Sequence, residues 1–262
     1  MMKKGLQSCL AAICVMVVLP FATANVSPGD ASEEMQPSQE QEFIYTVPIN
    51  GAVELALRNV IGRALREANR NNAKTIILEI DTLGGRLDAA VEISKMLSGV
   101  PQETVAFVNT RAISAGALIA LSCKRIVMSE GATMGAATPV QLSPTGDTQP
   151  TDEKAISYVR AEFRSAAERN GHPPNLAEAM VDKDISIEGV TDEGKLLTLD
   201  ARQALELRVA ESLVENKQGL LSYLNKESAQ EFVLEEYWME QIARFFANPM
   251  ISGFLMMLGL LS

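Results

Sequence analysis

The chain has 262 residues, enough for one large α/β domain or two small ones. Apolar residues make up 47% and aromatics only 5%, with Ala, Leu, Ile and Met abundant, which suits helices packed on a sheet better than an all-β sandwich. A net charge of −10 without a basic stripe argues against nucleic acid as a partner.

Lys3 and Lys4 form a basic start, Leu10 to Phe21 an apolar core, and Ala22-Thr23-Ala24 a small-x-small site. Residues 1–24 therefore read as a signal peptide, which predicts export and too short a run for a comfortable membrane span. Without them the charge is −12, because they carry two lysines and no acid, and Cys123 is the remaining cysteine. No intrachain disulfide is then expected. Residues 25–42 are rich in Ser, Pro, Gln and Glu, with little to bury, and read as a flexible linker.

Structure is predicted to begin at Phe43, with a strand over Phe43–Ile49 and a helix over Ala52–Asn71, where Val53, Leu57, Val60, Ile61, Ala64, Leu65 and Ala68 recur at helical spacing. Thr75–Ile80 reads as a buried strand ending at Asp81-Thr82-Leu83-Gly84-Gly85. Leu87–Leu97 is helical, and Val105–Val108 and Arg125–Met128 are further buried strands. Strands and helices alternating at this spacing imply βαβ units and a largely parallel sheet. Residues 138–150 form a Pro/Gly/Thr loop, either a lid or unstructured, and Asp152–Asn170 is a long helix. A strand is expected near Leu196–Leu199, followed by an acidic amphipathic stretch as far as Phe246. Pro249–Leu261 is apolar but shorter than the roughly 20 residues needed to cross a bilayer. It reads as the start of a transmembrane helix, with an interfacial or partner-binding helix as the alternative.

The residues capable of chemistry are few. One histidine, His172, is flanked by Gly171 and two prolines and is expected in an exposed loop, away from any triad. No HExxH motif, His/Cys cluster, phosphate-binding loop or dinucleotide fingerprint is present, so no metal or cofactor is expected. Serine chemistry with another base remains. Ser114, in Asn109-Thr110-Arg111-Ala112-Ile113-Ser114-Ala115-Gly116-Ala117, falls at a strand-to-helix junction among small neighbours. Nucleophile and ordinary helix N-cap are equally compatible with that spacing. Gly84 and Gly85 end the preceding strand, where open parallel sheets collect ligands. The backbone there, with the N–H of Ala115, is suited to an oxyanion hole, though a plain βα turn looks the same. Lys154 begins the long helix, where the positive helix end opposes a second positive charge and a neutral amine could take the serine proton. Asp152 and Glu153 must then point elsewhere. Taken alone, Lys154 reads as a solvated surface lysine.

The order strand, DTLGG, helix, strand, NTRAISAGA, helix, strand, loop, EKAISYVRAEFRSAAERNG resembles the membrane-bound ClpP-class peptidases of the NfeD family, from about Phe43 to Val214. That resemblance implies a ClpP/crotonase-like α/β fold, with a peptidase domain over 43–234 and an amphipathic helix plus a cut-short membrane segment over 235–262. It implies a Ser114/Lys154 dyad, oxyanion donors at Gly85 and Ala115, support from Gly84, and Asn109 as an orienting group. It further implies a homodimer on the extracytoplasmic side of the inner membrane, acting on peptide segments of stomatin- or prohibitin-like membrane proteins. Leu83 stands where relatives usually carry proline, and the family's later membrane helices and small β-barrel would follow where this sequence stops. The competing readings are a non-catalytic scaffold for a stomatin-like partner and a crotonase-type acyl-CoA enzyme. The last is disfavoured by export and by the lack of an obvious acid pair.

Overall fold

The apolar, β-branched runs form the middle of one sheet, and the helices between them collect on one of its faces. The fold is described from a computed structural model for residues 42–142, 148–150 and 152–234, with positions 251, 253, 256 and 257. The expected signal peptide, nearly all of the linker and all but four residues of the 235–262 segment lie outside those residues.

Strand β1 (Phe43–Asn50) leads through helix α1 (Leu55–Arg70) to β2 (Thr75–Thr82), then through α2 (Leu87–Leu97) to β3 (Glu103–Ile113). Helix α3 (Ala115–Leu121) carries the chain on to β4 (Arg125–Ser129). These four strands are parallel neighbours in chain order, as the βαβ reading requires. Further on come β5 (Thr133–Gly135), β6 (Val140–Leu142), β7 (Thr148–Pro150), α4 (Glu153–Asn170) and α5 (Pro174–Ala179). The chain continues with β8 (Thr198–Asp200), α6 (Ala201–Glu206), β9 (Ser212–Val214), α7 (Lys217–Tyr223) and β10 (Gln230–Val233). The main sheet runs β10-β1-β2-β3-β4-β9, while β5 extends the end of β3 and takes β8 antiparallel on its other side.

The two faces of the sheet are built differently. Tyr45, Val47, Ile49, Ile76, Leu78, Ile80, Ala106, Val108, Ile126 and Met128 point to one side, where α1, α2, α3 and α4 bury them. Alternate residues Ile44, Ile77, Val105, Phe107 and Val127 point to the other, under Leu220 and Leu224 at α7. Each large side chain so buried contributes about 1.5–3 kcal/mol, so the helical face supplies most of the core. Farther along the second face the pattern turns polar, with Arg111 Nε 2.9 Å from Asp81 Oδ1 and Lys217 Nζ 3.6 Å from Glu79 Oε2.

Helix α4 is held at both ends. The Asp152 carboxylate accepts from the Ala155 N–H at 2.9 Å, and Gly171 closes the C-terminus at φ 77°. The left-handed turn at Gly171 brings the next residue inward. His172 is therefore buried, 7% exposed, and not the exposed loop residue the sequence suggested. Its Nε2 donates to the Cys123 carbonyl at 2.9 Å, and burial holds the imidazole pKa below its ordinary value. Burial pushes the Cys123 thiol up to about 12.

Two other expectations change. The 138–150 stretch contains an antiparallel pair, Val140↔Pro150 to Leu142↔Thr148, instead of being loop throughout. Part of the acidic stretch before Phe246 is β10, an edge strand whose Phe43↔Gln230 to Thr46↔Val233 register closes the sheet beside β1. Among the described residues no helix is long and apolar enough to cross a membrane.

Candidate active site

Strands β2 and β3 stay in step from Thr75↔Glu103 to Ile80↔Val108, but the next pair is Thr82↔Ala112. Strand β3 thus spends two extra residues over that interval, and such a bulge bends a strand and re-aims its end. Asn109, Thr110 and Arg111 turn outward and are exposed. This relocates Asn109, expected to orient the serine. Its Nδ2 donates to Glu79 Oε1 at 3.3 Å and its Oδ1 accepts from Ser129 Oγ at 3.4 Å, on the polar half of the sheet.

Past the bulge the chain reaches Ser114, whose N–H donates to the Gly135 carbonyl at 2.9 Å. Its backbone has φ 54° and ψ −118°, a conformation that costs a residue with a side chain about 1–3 kcal/mol. Ser114 occupies the N-cap position of α3, yet its side chain makes no capping hydrogen bond. An ordinary cap serine spends its hydroxyl on a helix N–H. Here the hydroxyl makes no such bond.

Gly84 and Gly85 lie directly beside it. A Cβ on Gly84 (φ 112°) would stand 2.7 Å from Ser114 Cβ, and one on Gly85 would stand 2.3 Å from the Val53 carbonyl oxygen. The second contact reflects a parallel bridge: Val53 N–H donates to Gly84 O at 2.9 Å, and Arg86 N–H donates to Val53 O at 2.8 Å. In such a bridge the middle residue directs its own N–H to the opposite side. The N–H groups of Gly85 and Ala115 have no acceptor among the described residues.

Ser114, Ala115 and Gly85 line one cavity of about 660 Å³. Its walls are Leu83, Leu87, Leu118, Ala137, Pro139 and Val140, with Glu54 and Arg86 on the polar side. Ala155, Val159 and Phe163 complete it from α4, at positions i, i+4 and i+8 on one helix face. Leu83, where a proline was expected, is 68% exposed.

Lys154 is placed differently from the rest. It is exposed, it does not line the cavity, and among the described residues no hydrogen bond or ion pair joins it to Ser114. It sits about 100° around α4 from Ala155, and its four-carbon stem springs from the first turn of the helix. Asp152, a potential competitor for its charge, is engaged in the helix cap. The structure thus brings Ser114, Ala115, Gly84 and Gly85 together and leaves Lys154 at the edge. Sequence reasoning missed the contributions of Val53, Gly135 and Thr82. Of these, only Thr82 carried a visible signal, a hydroxyl residue two positions ahead of the glycine pair. Among the described residues no group of three or more His, Cys, Asp or Glu is placed to hold a metal ion.

The family model described as the N-terminal domain of NfeD1b matches residues 43–232. The membrane protein NfeD1b of Bacillus subtilis is 35% identical over 229 residues, 87% of this chain and 52% of that protein. The membrane-bound protease PH1510 of Pyrococcus horikoshii is 26% identical over 235 residues, 86% of this chain and 53% of that protein. The chain thus spans about half the length of these curated relatives. Among solved structures, a lysine-to-alanine mutant of the 1510-N membrane-bound stomatin-specific protease, in complex with a substrate peptide, superposes with a TM-score of 0.69 at 24% identity. The match covers 80% of this chain and 99% of that one. ClpP1 from Listeria monocytogenes, as an Asn-to-Asp mutant, has the same type of fold, with a TM-score of 0.51 at 18% identity over 67% of this chain and 94% of that one.

Proposed function

Because the chain belongs to the NfeD1b N-terminal domain family, we propose that it is a membrane-associated serine endopeptidase with Ser114 as nucleophile and Lys154 as general base. Its substrates are apolar peptide segments, and the best candidates are those of stomatin- or prohibitin-like membrane proteins. The relative PH1510 is named a membrane-bound protease and the 1510-N structure a stomatin-specific one, which supports that choice. The observation that carries the reading is Ser114 itself: a strained backbone, an uncapped hydroxyl and two unpaired N–H groups open to one apolar cavity.

In this mechanism a peptide strand lays an apolar side chain between Leu118, Val159 and Phe163. Its carbonyl oxygen lies between the N–H groups of Gly85 and Ala115. Ser114 Oγ attacks the carbonyl carbon while the neutral Lys154 amine takes the hydroxyl proton. Negative charge collects on the carbonyl oxygen, where the two donors stabilise it by a few kcal/mol. Lys154 then gives the proton to the departing amine, leaving an acyl group on Ser114. A water molecule, deprotonated by the same amine, releases it. Lys154 has to swing in from the exposed start of α4 for this, and substrate closing the cavity provides the occasion. Export by the signal peptide over residues 1–24 and attachment to the extracytoplasmic side of the membrane through the 235–262 segment complete the proposal.

The exposed Lys154 favours a second reading, a scaffold that binds an apolar segment without cleaving it. One experiment separates the two. The full chain, in detergent, is assayed on a library of apolar peptides beside Ser114→Ala and Lys154→Ala. The peptidase reading expects turnover in the wild type and its loss in both variants. Equal rates for all three, with undiminished peptide binding, would leave the scaffold.

A further inference from the structure

We infer that Thr82 is a positioning residue that sets the spacing of the two oxyanion donors, a role that rests on the assignment of Gly85 and Ala115 above. Thr82 is 1% exposed and touches neither cavity nor solvent, so it takes no part in binding substrate. Its two side-chain arms reach the two halves of the site separately.

The hydroxyl arm holds the glycine turn. Thr82 Oγ1 donates to the Gly51 carbonyl at 2.5 Å and accepts the Gly84 N–H at 2.9 Å. A hydroxyl used in both directions is a relay: it fixes the start of the Gly84-Gly85 turn to the end of β1. Gly84 needs that anchor, because at φ 112° its peptide planes are free to adopt other arrangements. On the far side of the turn the Val53 bridge takes over, with Gly84 O and Arg86 N–H both engaged. The Gly85 N–H shares a peptide plane with the Gly84 carbonyl, which accepts from Val53 N–H at 2.9 Å and lies 3.2 Å from Thr82 Oγ1, while Thr82 also fixes the plane before it through the Gly84 N–H.

The methyl arm holds the helix. A Cβ built on Gly116 would stand 2.5 Å from Thr82 Cγ2, so the methyl group rests where only a glycine leaves room. Gly116 immediately follows Ala115, so the Ala115 N–H is referenced to the same side chain. Threonine is the residue that joins a hydroxyl and a methyl on one Cβ, with its rotamer restricted by branching. Valine loses the first arm and serine the second.

The consequence is catalytic. Loss of the hydroxyl lets the glycine turn drift while the apolar cavity, built from other residues, stays intact. A misplacement of about 1 Å at such a site costs about 100-fold in rate, and loss of one whole donor about 100- to 1000-fold. The full-length chain with Thr82→Val, Thr82→Ser and Ser114→Ala is compared with the wild type for kcat and KM on a fluorogenic apolar peptide. The same proteins are titrated with an apolar peptide aldehyde, whose adduct on the serine places an oxyanion between the donors. Thr82→Val is expected to lower kcat about 10- to 100-fold and to weaken the aldehyde to a similar degree, with KM within about threefold. Thr82→Ser, which keeps the relay, recovers most of that loss. Hydrogen exchange at Gly84 rises at least about tenfold in Thr82→Val alone, because the hydroxyl is its acceptor.

A kcat for Thr82→Val within about twofold of the wild type overturns the positioning role, as does a loss equal in Thr82→Ser and Thr82→Val. If Thr82→Val does not fold, Thr82→Ala, which loses both arms, replaces it beside Thr82→Ser: a kcat loss in Thr82→Ala that Thr82→Ser recovers in most part supports the relay, and equal kcat in the two refutes it. A wild type no faster than Ser114→Ala overturns the peptidase reading and the positioning role with it. An active wild type with an unaffected Thr82→Val overturns the positioning role alone.

Discussion

The two halves of the candidate site are built in opposite ways. On the serine side, the backbone around Ser114 is tied down at several points, to Gly135 through the serine N–H and through Val53 and Thr82 around the glycine pair, with the Gly85 and Ala115 N–H groups left without an acceptor among the described residues. The strain at φ 54° persists because those bonds over-determine it. On the base side, Lys154 sits at an exposed helix start, unattached to the serine among the described residues. One half is held by its own hydrogen bonds, and the other is not. On the peptidase reading, stability and catalysis should separate along that line, with changes to the tethers of the serine side affecting both and base-side changes affecting catalysis alone.

The sharpest way to break the comparison is Ser114→Ala, expected to lower kcat by at least about 1000-fold in a steady-state peptide assay. The same substitution removes a hydroxyl that caps nothing, so its melting temperature should stay close to that of the wild type. Lys154→Ala should cost about 100- to 10,000-fold in kcat while shifting stability by less than about 0.5 kcal/mol in urea unfolding. A loss of stability there would mean that the base side is as rigid as the serine side. Phe163→Ala opens the cavity floor shared by both halves. It should destabilise by about 3–5 kcal/mol and erase the preference for large apolar side chains in a peptide library.

The smallest effect concerns His172, remote from both halves. Burial holds its imidazole neutral, with a pKa below the ordinary one, so the unfolded chain binds more protons below about pH 6.5. Stability from this residue is therefore present above that pH and lost as pH falls toward the folded value. Urea midpoints measured from pH 7.5 down to 5 should decline, and His172→Gln, which keeps a donor for the Cys123 carbonyl, should flatten the decline.

Much of the scaffold was legible because periodicity reports burial. Helix α2 falls at Leu87–Leu97 and β2 begins at Thr75, where apolar spacing placed them. Strand β3 was read only to Val108, because the bulge that follows exposes Asn109 to Arg111 and ends the apolar run before the strand ends. The same bulge explains why Asn109, the first residue of the serine block, bonds to Glu79 and Ser129. His172 was misjudged because flanking Gly and Pro mark a turn but not the direction in which the turn delivers its side chain. Ser114 could be located at the start of a helix, but its positive φ and its missing cap hydrogen bond leave no mark in the sequence. Strand β10 has no local signal, because its partner β1 lies at the other end of the domain.

That last pairing has a temporal consequence. Lys226 pairs with Glu42 across 184 residues, and β10 seals β1 along the same edge. Such contacts are the slowest to form, and they await the synthesis of everything between them. At about 5–20 residues per second, the outer edge of β1 stands open for roughly 10–40 s after it is made. During that interval it is a template for any passing strand. The clasp between β1 and β10 thus closes that edge long after the residues around Ser114 have been made.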